Sequence, residues 1–369
     1  MVFNFRCFSI GVGARETESD DNFVTAPSRF DLRPSGSAPT SRNVDYIRSG
    51  VPNLNGRSSN LRVFTLAELN KATKNFDPST KLGEGGFGSV HSGTIKRLEH
   101  PFDDIRVAVK CGKKGLKGQR QWQTEVDFLG EIEHQNLVKL IGYCYEEHGN
   151  ESNWLLVYEY MSNGSLDGHL SGKSKKHLSW PMRLKIARDA ANGLKYLHEG
   201  MGPNKQIIFR DFKPSNVLLD DDWNAKLSDF GLVREGPQDG RSHVSTLVVG
   251  TKGYAAPEYV QTGRLTFKAD VWSYGIFLQE LITGQRPISQ KNSEIDPECM
   301  RWVCCYAGPG KSRLIFDPKL KGEYNVRSMQ IITSIADNCL VKDPKSRPTM
   351  SEVLEMVDQA IALENQHHL

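Results

Sequence analysis

The sequence of 369 residues has no apolar run that reaches the roughly 18 to 20 residues needed to cross a bilayer; its longest, such as 154–158, fall far short. It also lacks an imbalance of charge, since 47 Lys and Arg stand against 44 Asp and Glu. A strongly basic nucleic-acid binder or an acidic tail protein would show a large net charge or a long block of one sign. The arginines of the first 60 residues are interleaved with Glu16, Asp20, Asp21 and Asp31, which argues further against nucleic acid as a partner. There is no Cys-x-x-Cys pair among the seven cysteines at positions 7, 111, 144, 299, 304, 305 and 339, and their number is odd. Met1-Val2-Phe3-Asn4 lacks the long apolar core of a secretory signal. A reducing compartment is expected, with six of the cysteines acting as small buried hydrophobes. No internal repeat is visible.

What is present suffices for one large or two ordinary domains: 38% of the residues are hydrophobic. Residues 1–60 are rich in Ser, Asn, Gly, Pro and Arg without apolar periodicity, and the spacing predicts disorder there. Cys7 lies in this segment beside Phe5, Arg6 and Phe8, a candidate for reversible acylation or simply a free thiol; Val2 stands where N-myristoylation needs glycine. Structure is expected from Phe64, with Thr65 and Glu68 at capping-box spacing and Leu66, Leu69 and Ala72 striping a short helix that ends near Asn75. The lysine groups 113–114 and 173–176 read as solvated loops.

Gly83-Glu84-Gly85-Gly86-Phe87-Gly88-Ser89-Val90 fits G-x-G-x-x-G-x-V, a weak signal alone. A dinucleotide-binding loop opens into a helix, whereas here residues 89–94 and then 105–110 have strand character. The segment is therefore a hairpin with a third strand, whose glycines let backbone close on phosphate oxygens. Lys110 ends the third strand, on a face that Val90 and Ala108 also line, where an ammonium can neutralise ATP phosphates. A helix predicted over 119–131, with Trp122, Val126 and Leu129 inward, carries Glu125 as its holder.

Farther on, Arg210-Asp211-Phe212-Lys213-Pro214-Ser215-Asn216 lies between two apolar runs. Asp211 is a carboxylate to orient and accept the proton of an attacking hydroxyl, Asn216 offers a carboxamide oxygen to a hard cation, and Lys213 can offset charge on a transferred phosphoryl group. Asp229-Phe230-Gly231 adds a metal-ligating carboxylate. Ala256-Pro257-Glu258, Asp270-Val271-Trp272 and Ser346-Arg347-Pro348 follow.

In this order the motifs resemble those of eukaryotic protein kinases across about three quarters of the chain. The resemblance implies an α+β, bilobal kinase fold. A small β-rich N-lobe with one key helix and the hinge would span 76–161, and a larger, mainly helical C-lobe 162–358. A disordered tail (1–60), a short lead-in helix (61–75) and a C-terminal tail (359–369) would flank them. It further implies catalytic roles for Asp211, Lys213, Lys110 and Glu125, and metal ligation by Asn216 and Asp229. ATP would be held by Leu82, Gly83, Glu84, Gly85, Gly86, Phe87, Gly88, Ser89, Val90, Ala108, Lys110, Tyr158, Glu159, Met161 and Leu218, with Mg²⁺ or Mn²⁺ as the ion. Tyr158 falls at the gatekeeper position, with Glu159, Tyr160 and Met161 as hinge. Glu258 and Arg347 resemble a structural ion pair, and Asp270 the acid that braces the catalytic loop. Phe209 replaces the usual histidine before Arg-Asp and is expected to pack in a stack with Leu129, Leu140 and Phe230.

Lys213 and Thr251 resemble the serine/threonine rather than the tyrosine kinases. Ser242, Ser245, Thr246 and Thr251 are candidate phosphate acceptors opposite Arg210, with Ser245 or Thr246 favoured as the activating site and Thr251 expected to contact Asp211 and Lys213. Phe64 to Leu69 with Ala72 to Phe76, Val244-Ser245-Thr246, the run from Gly250 to Tyr259 and the Phe-Arg-Asp-Phe-Lys sequence sharpen the likeness to the plant receptor-like/Pelle group. Within it they resemble subfamily VII receptor-like cytoplasmic kinases, above all the pattern-triggered-immunity compromised type, as residues 222–228 also suggest. That implies receptor-like kinases of the plasma membrane upstream, protein substrates such as downstream signalling kinases, and a cytoplasmic protein with peripheral membrane association. A second expectation competes with it: a pseudokinase scaffold docked on a receptor, motivated by Phe209 and the long polar tail.

Overall fold

The computed structural model describes residues 61–86, 88–96, 103–148, 151–174, 176–200, 205–238, 240–286 and 316–367. Cys7, Phe87 and the tail expected over 1–60 lie outside the described residues.

Helix α1 (Leu66–Ala72) begins where the capping box at Thr65 predicts, and strand β1 (Arg62–Val63) precedes it at the start of the 61–75 lead-in segment. The strand forms because its backbone pairs, parallel, with β5 far along the chain, a partner that no local pattern announces. Thr65 caps α1 by accepting from Glu68 N, and the Glu68 carboxylate accepts from Thr65 N at 2.8 Å, so two end groups of the helix are satisfied reciprocally. Then come β2 (Lys81–Gly85), β3 (Gly88–Lys96), β4 (Asp104–Gly112), helix α2 (Leu116–Leu129), β5 (Leu140–His148) and β6 (Glu151–Glu159). The sheet order is β1-β5-β6-β4-β3-β2, antiparallel apart from the β1–β5 pair. Alternation places Val107, Val109, Leu155 and Val157 on one face, where they bury Phe64 and Leu69 of the lead-in segment. The opposite face receives α2 through Trp122, Val126 and Leu129.

The rest is mainly helical. Helices α3 (Leu166–Leu170) and α4 (Trp180–Lys195) lead to β7 (Ile207–Ile208), β8 (Val217–Leu219), β9 (Ala225–Leu227), β10 (Arg234–Glu235) and β11 (Val244–Ser245). Helix α5 (Pro257–Thr262), β12 (Arg264–Leu265), α6 (Phe267–Thr283), α7 (Val326–Cys339) and α8 (Met350–His367) follow. Helix α6 is buried at every position from Ala269 to Thr283. A helix buried all round belongs in a core, and α6 is the pillar on which the segment around Arg210 rests. The last helix continues through residues 359–367, where the sequence pattern marks only a tail; Ala360 and Glu364 are buried there. Cys144 and Cys339 are buried and Cys111 half-buried, all three as free thiols.

Candidate active site

The β3–β4 register sets Val90 opposite Lys110, and β4–β6 sets Ala108 opposite Tyr158. Lys110 Nζ lies 2.5 Å from Glu125 Oε1 and 2.7 Å from Asp229 Oδ1, so one ammonium joins the sheet, helix α2 and the Asp-Phe-Gly segment. Burial lowers the pKa of Lys110, but the carboxylates of Asp229 and Glu125 outweigh it and hold the ammonium above its ordinary value. Glu125 is 1% exposed, and its second oxygen accepts from the Tyr158 hydroxyl. Burial pushes the Glu125 carboxyl up while Lys110 pulls it down. One turn earlier on α2, Trp122 donates to Leu155 O at 3.0 Å and fixes the helix against β6.

Above this group runs the β2–β3 hairpin, with Glu84 opposite Ser89 and Gly85 opposite Gly88. A Cβ added at Gly83 or Gly85 would meet nothing within 4 Å, so these glycines answer to no neighbour in the protein and leave open space above the strand. Leu82 is exposed at the hairpin's start, Gly86 sits at its turn, and Leu218 is half-buried on β8. At the chain crossing, Tyr158 and Met161 are buried. The Glu159 carboxylate is held by Lys226 at 2.8 and 2.9 Å and accepts from Lys139 N at 2.7 Å, so its side chain braces the crossing; any purine contact would fall to its backbone.

The loop that carries Asp211 hangs from α6. Asp270, 1% exposed, accepts from Phe209 N at 2.7 Å and Arg210 N at 2.8 Å, and His198 Nε2 lies 2.8 Å from it. Arg210 has φ +72° and Asp229 φ +69°, a backbone region that costs a non-glycine residue. Asp211 Oδ1 accepts from Thr251 Oγ1 at 2.6 Å, and Lys213 Nζ lies 2.6 Å from that hydroxyl and 3.0 Å from Asp211 Oδ2. Asn216 Nδ2 donates to Asp211 O at 2.9 Å and Oδ2 at 3.2 Å. The amide nitrogen is thus engaged, and oxygen is the atom that Asn216 can offer a cation. Ser228, which the motifs do not mark, donates to Asn216 O at 3.1 Å and ties Asn216 to the residue before Asp229.

Arg210 Nη2 reaches Leu247 O (2.7 Å), the Tyr259 hydroxyl (2.8 Å) and Thr246 Oγ1 (3.3 Å). Burial lowers its pKa, and its Nε has no hydrogen-bond partner among the described residues. The hydroxyl that Arg210 meets is therefore that of Thr246, while Ser245 is exposed on β11 and Ser242 is exposed beside His243 Nδ1 at 3.0 Å. Phe209, wholly buried, meets Phe230 edge to face at 5.2 Å, in one core with Leu129 and Leu140. Phe128, unmarked by the sequence reading, stacks on Phe230 at 5.5 Å. Arg347 grips Glu258 with two bonds of 2.7 and 2.8 Å.

Among the described residues no cluster of three or more His, Cys, Asp and Glu forms a metal cage. One carboxylate, that of Asp229, and the carboxamide of Asn216 suit instead a cation like Mg²⁺, which keeps one or two carboxylates and takes its remaining oxygens from phosphates and water. The open space over Gly83 and Gly85 fits that requirement.

A family profile described as the protein kinase domain matches residues 76–357. Serine/threonine-protein kinase PCRK1 of Arabidopsis thaliana is 51% identical over 354 residues, 95% of this chain and 84% of that protein. Serine/threonine-protein kinase PCRK2 of the same plant is 50% identical over 367 residues, covering 96% and 87%. The probable serine/threonine-protein kinase PBL2, also from Arabidopsis thaliana, is 46% identical over 337 residues, covering 88% and 78%.

Proposed function

Because this chain belongs to the protein kinase family, as a serine/threonine kinase of the receptor-like cytoplasmic group, we propose that the residues around Lys110 and Asp211 are its phosphotransfer site. The single observation that carries this is Lys110, 2.5 Å from Glu125 and 2.7 Å from Asp229, a bridged arrangement assembled without further movement of the chain. Lys110 orients the α- and β-phosphates of ATP, and the glycine hairpin from Leu82 to Val90 covers them. Ala108, Met161, Leu218 and the backbone of Glu159 frame the purine, with Tyr158 behind it. Asp229 and Asn216 hold a divalent cation, Mg²⁺ or Mn²⁺, which when bound neutralises charge on the phosphates. Asp211 orients the substrate hydroxyl and accepts its proton as that oxygen bonds the γ-phosphorus of ATP and the bond from this phosphorus to the β–γ bridging oxygen breaks, leaving ADP. Lys213 and Thr251 hold the Asp211 carboxylate in place, and Lys213 offsets negative charge on the transferred group.

Transfer of radiolabel from ATP to a protein substrate tests this reading. Wild type is active, and Lys110→Met and Asp211→Asn fall to background; equal background signal in all three would sink it. The scaffold alternative finds no support, since Phe209 fills an aromatic stack and leaves the catalytic set intact.

Thr246 is the favoured activating phosphosite, supported by its 3.3 Å contact with Arg210. Its phosphate adds about −1.5 to −2 charge beside a buried guanidinium. Equal rates from phosphatase-treated and autophosphorylated enzyme would overturn the switch. We further propose receptor-like kinases of the plasma membrane as upstream partners and downstream signalling kinases as substrates, in immune or developmental relays. The likeness to PCRK1 and PCRK2 supports this, and co-purification from membranes with phosphosite mapping tests it. No helix among the described residues is long and apolar enough to cross a membrane. Peripheral attachment through acylated Cys7 is the corresponding proposal, overturned if Cys7→Ser partitions with membranes as wild type does.

A further inference from the structure

Residues 61–64 lie outside the matched domain, which begins at residue 76, yet they meet the helix that carries Glu125 directly through Leu61 and indirectly through Tyr143. At the C-terminal end, α2 stops at Gly130, and the Leu61 side chain covers that glycine: a Cβ there would come within 3.0 Å of Leu61 Cδ1. Leu61 packs into the same core as Trp122, Val126 and Leu129. On the sheet side, Val63 pairs with Tyr143 of β5, and Phe64 N donates to Tyr143 O at 2.8 Å. The Tyr143 ring meets the Trp122 ring edge to face at 5.5 Å, one turn before Glu125.

The fit of β1 against β5 is tight. A Cβ at Gly142 would lie 1.9 Å from Arg62 O and 2.7 Å from Phe64 Cε2, so only glycine lets the two backbones approach so closely. Arg62 is fixed in turn by Lys96 O at 3.0 Å and the Glu68 carboxylate at 2.9 Å. Leu66 N donates to Glu146 on β5 at 2.8 Å. The segment is thus clamped to the sheet by several independent bonds, and Leu61 projects from that clamp onto α2.

We propose that residues 61–64 are a strap that positions helix α2, with Leu61 as a positioning residue that keeps Glu125 within reach of Lys110. A helix fastened only to its own lobe can swing outward, and the ion pair then opens. Leu61 resists that movement from the end of the helix, and the β1–β5 pairing holds Leu61 in place. Residue 61 is also where residues 1–60 join the domain, so whatever binds them acts on the strap first. The inference rests on the roles proposed above for Lys110 and Glu125.

The test uses the full chain, with Leu61→Ala, the conservative Leu61→Met, Gly142→Ala and the double variant Leu61→Ala/Gly142→Ala. Val63→Ala serves as a control, because Val63 is exposed and contributes through its backbone. Leu61→Ala and Gly142→Ala are each expected to lower kcat about 3- to 10-fold with the KM for protein substrate unchanged, and the double variant to lose less than the product of the two. Leu61→Met restores kcat, and Val63→Ala behaves as wild type. Amide hydrogen exchange along 116–129 accelerates in the alanine variants, measured without any turnover. A Leu61→Ala protein that melts earlier but keeps wild-type kcat and helix exchange overturns the strap, as does one in which Leu61→Met fails to restore kcat. If Gly142→Ala fails to fold, Leu61→Ala and Leu61→Met decide alone. Lys110→Met separates the two readings: if it stays active, the roles of Lys110 and Glu125 are wrong, whereas an inactive Lys110→Met with unaffected Leu61→Ala refutes the strap only.

Discussion

Thr251 and Asp211 are joined across the mouth of the site by a 2.6 Å hydrogen bond from the threonine hydroxyl to the carboxylate. The same hydroxyl lies 2.6 Å from Lys213 Nζ, so the segment before Ala256 and the loop that carries Asp211 are locked together through one oxygen.

Removing that oxygen frees both partners. Thr251→Ala is expected to lower kcat by about 10²-fold, within the range for misplacing a group at a reacting centre, and Thr251→Ser to recover most of it. Steady-state kinetics at saturating ATP check this; an alanine variant as fast as the serine one would show that the lock is decorative.

Phe209 is a packing residue, and its substitutions should follow volume. Phe209→Ala leaves a cavity against Phe230 and Phe212 and should cost about 3–5 kcal/mol, with loss of phosphotransfer. Phe209→Leu, apolar and closer in volume, should cost less than about 1.5 kcal/mol and stay active. Thermal unfolding beside an activity assay distinguishes them, and a fully stable Phe209→Ala would contradict the stack.

Arg347 is fully buried and meets Glu258 with two bonds, while its Nε donates to Val341 O at 2.8 Å. Glu258→Ala leaves that guanidinium without its anion and should destabilise the protein by about 3–5 kcal/mol. Arg347→Lys cannot reproduce the fork and should not restore stability. Denaturant midpoints measure both, and a lysine variant as stable as wild type would show that charge alone suffices.

Glu280 on α6 accepts from the Tyr254 hydroxyl, and burial pushes its pKa up to about 8. The folded protein therefore keeps this carboxyl protonated at neutral pH, whereas the unfolded chain ionises it near the ordinary value of 4.5. A raised acid pKa leaves stability intact below the unfolded value, and stability declines as pH climbs from about 4.5 to about 8. Glu280→Gln should remove that decline. Parallel slopes for the two proteins across the window would rule it out.

Part of the candidate site was legible because phosphate chemistry needs fixed residue types in fixed order: Lys110, Glu125 and Asp229 meet in one ion-paired group, and Asp211 and Asn216 in another that Ser228 ties to Asp229's segment. The short helix was legible through Thr65 and Glu68, since a capping box is local. What escaped depends on distant partners. Strand β1 exists through Tyr143, about eighty residues away, and its one signal was a glycine at 142 inside an otherwise bulky strand. The bond from Tyr158 to Glu125 escaped because sequence spacing does not say which way a polar ring just after the run Leu155-Leu156-Val157 will point. The last helix ran past its expected end because Ala360 and Glu364 find cover on other elements, Glu364 taking a bond from Ser328 at 2.5 Å.

Arg210 and Asp229 both stand in left-handed backbone, at a cost of about 1–3 kcal/mol each. A glycine at either place would relieve it, and the reacting groups would be misaligned or lost. The strain is offset by bonds that a glycine would forfeit: Arg210 to Leu247 O and the Tyr259 hydroxyl, and Asp229 to the Lys110 ammonium. Relief of strain and loss of bonding oppose each other at both positions, so stabilising such a chain calls for changes elsewhere, selected on product formed rather than on protein recovered.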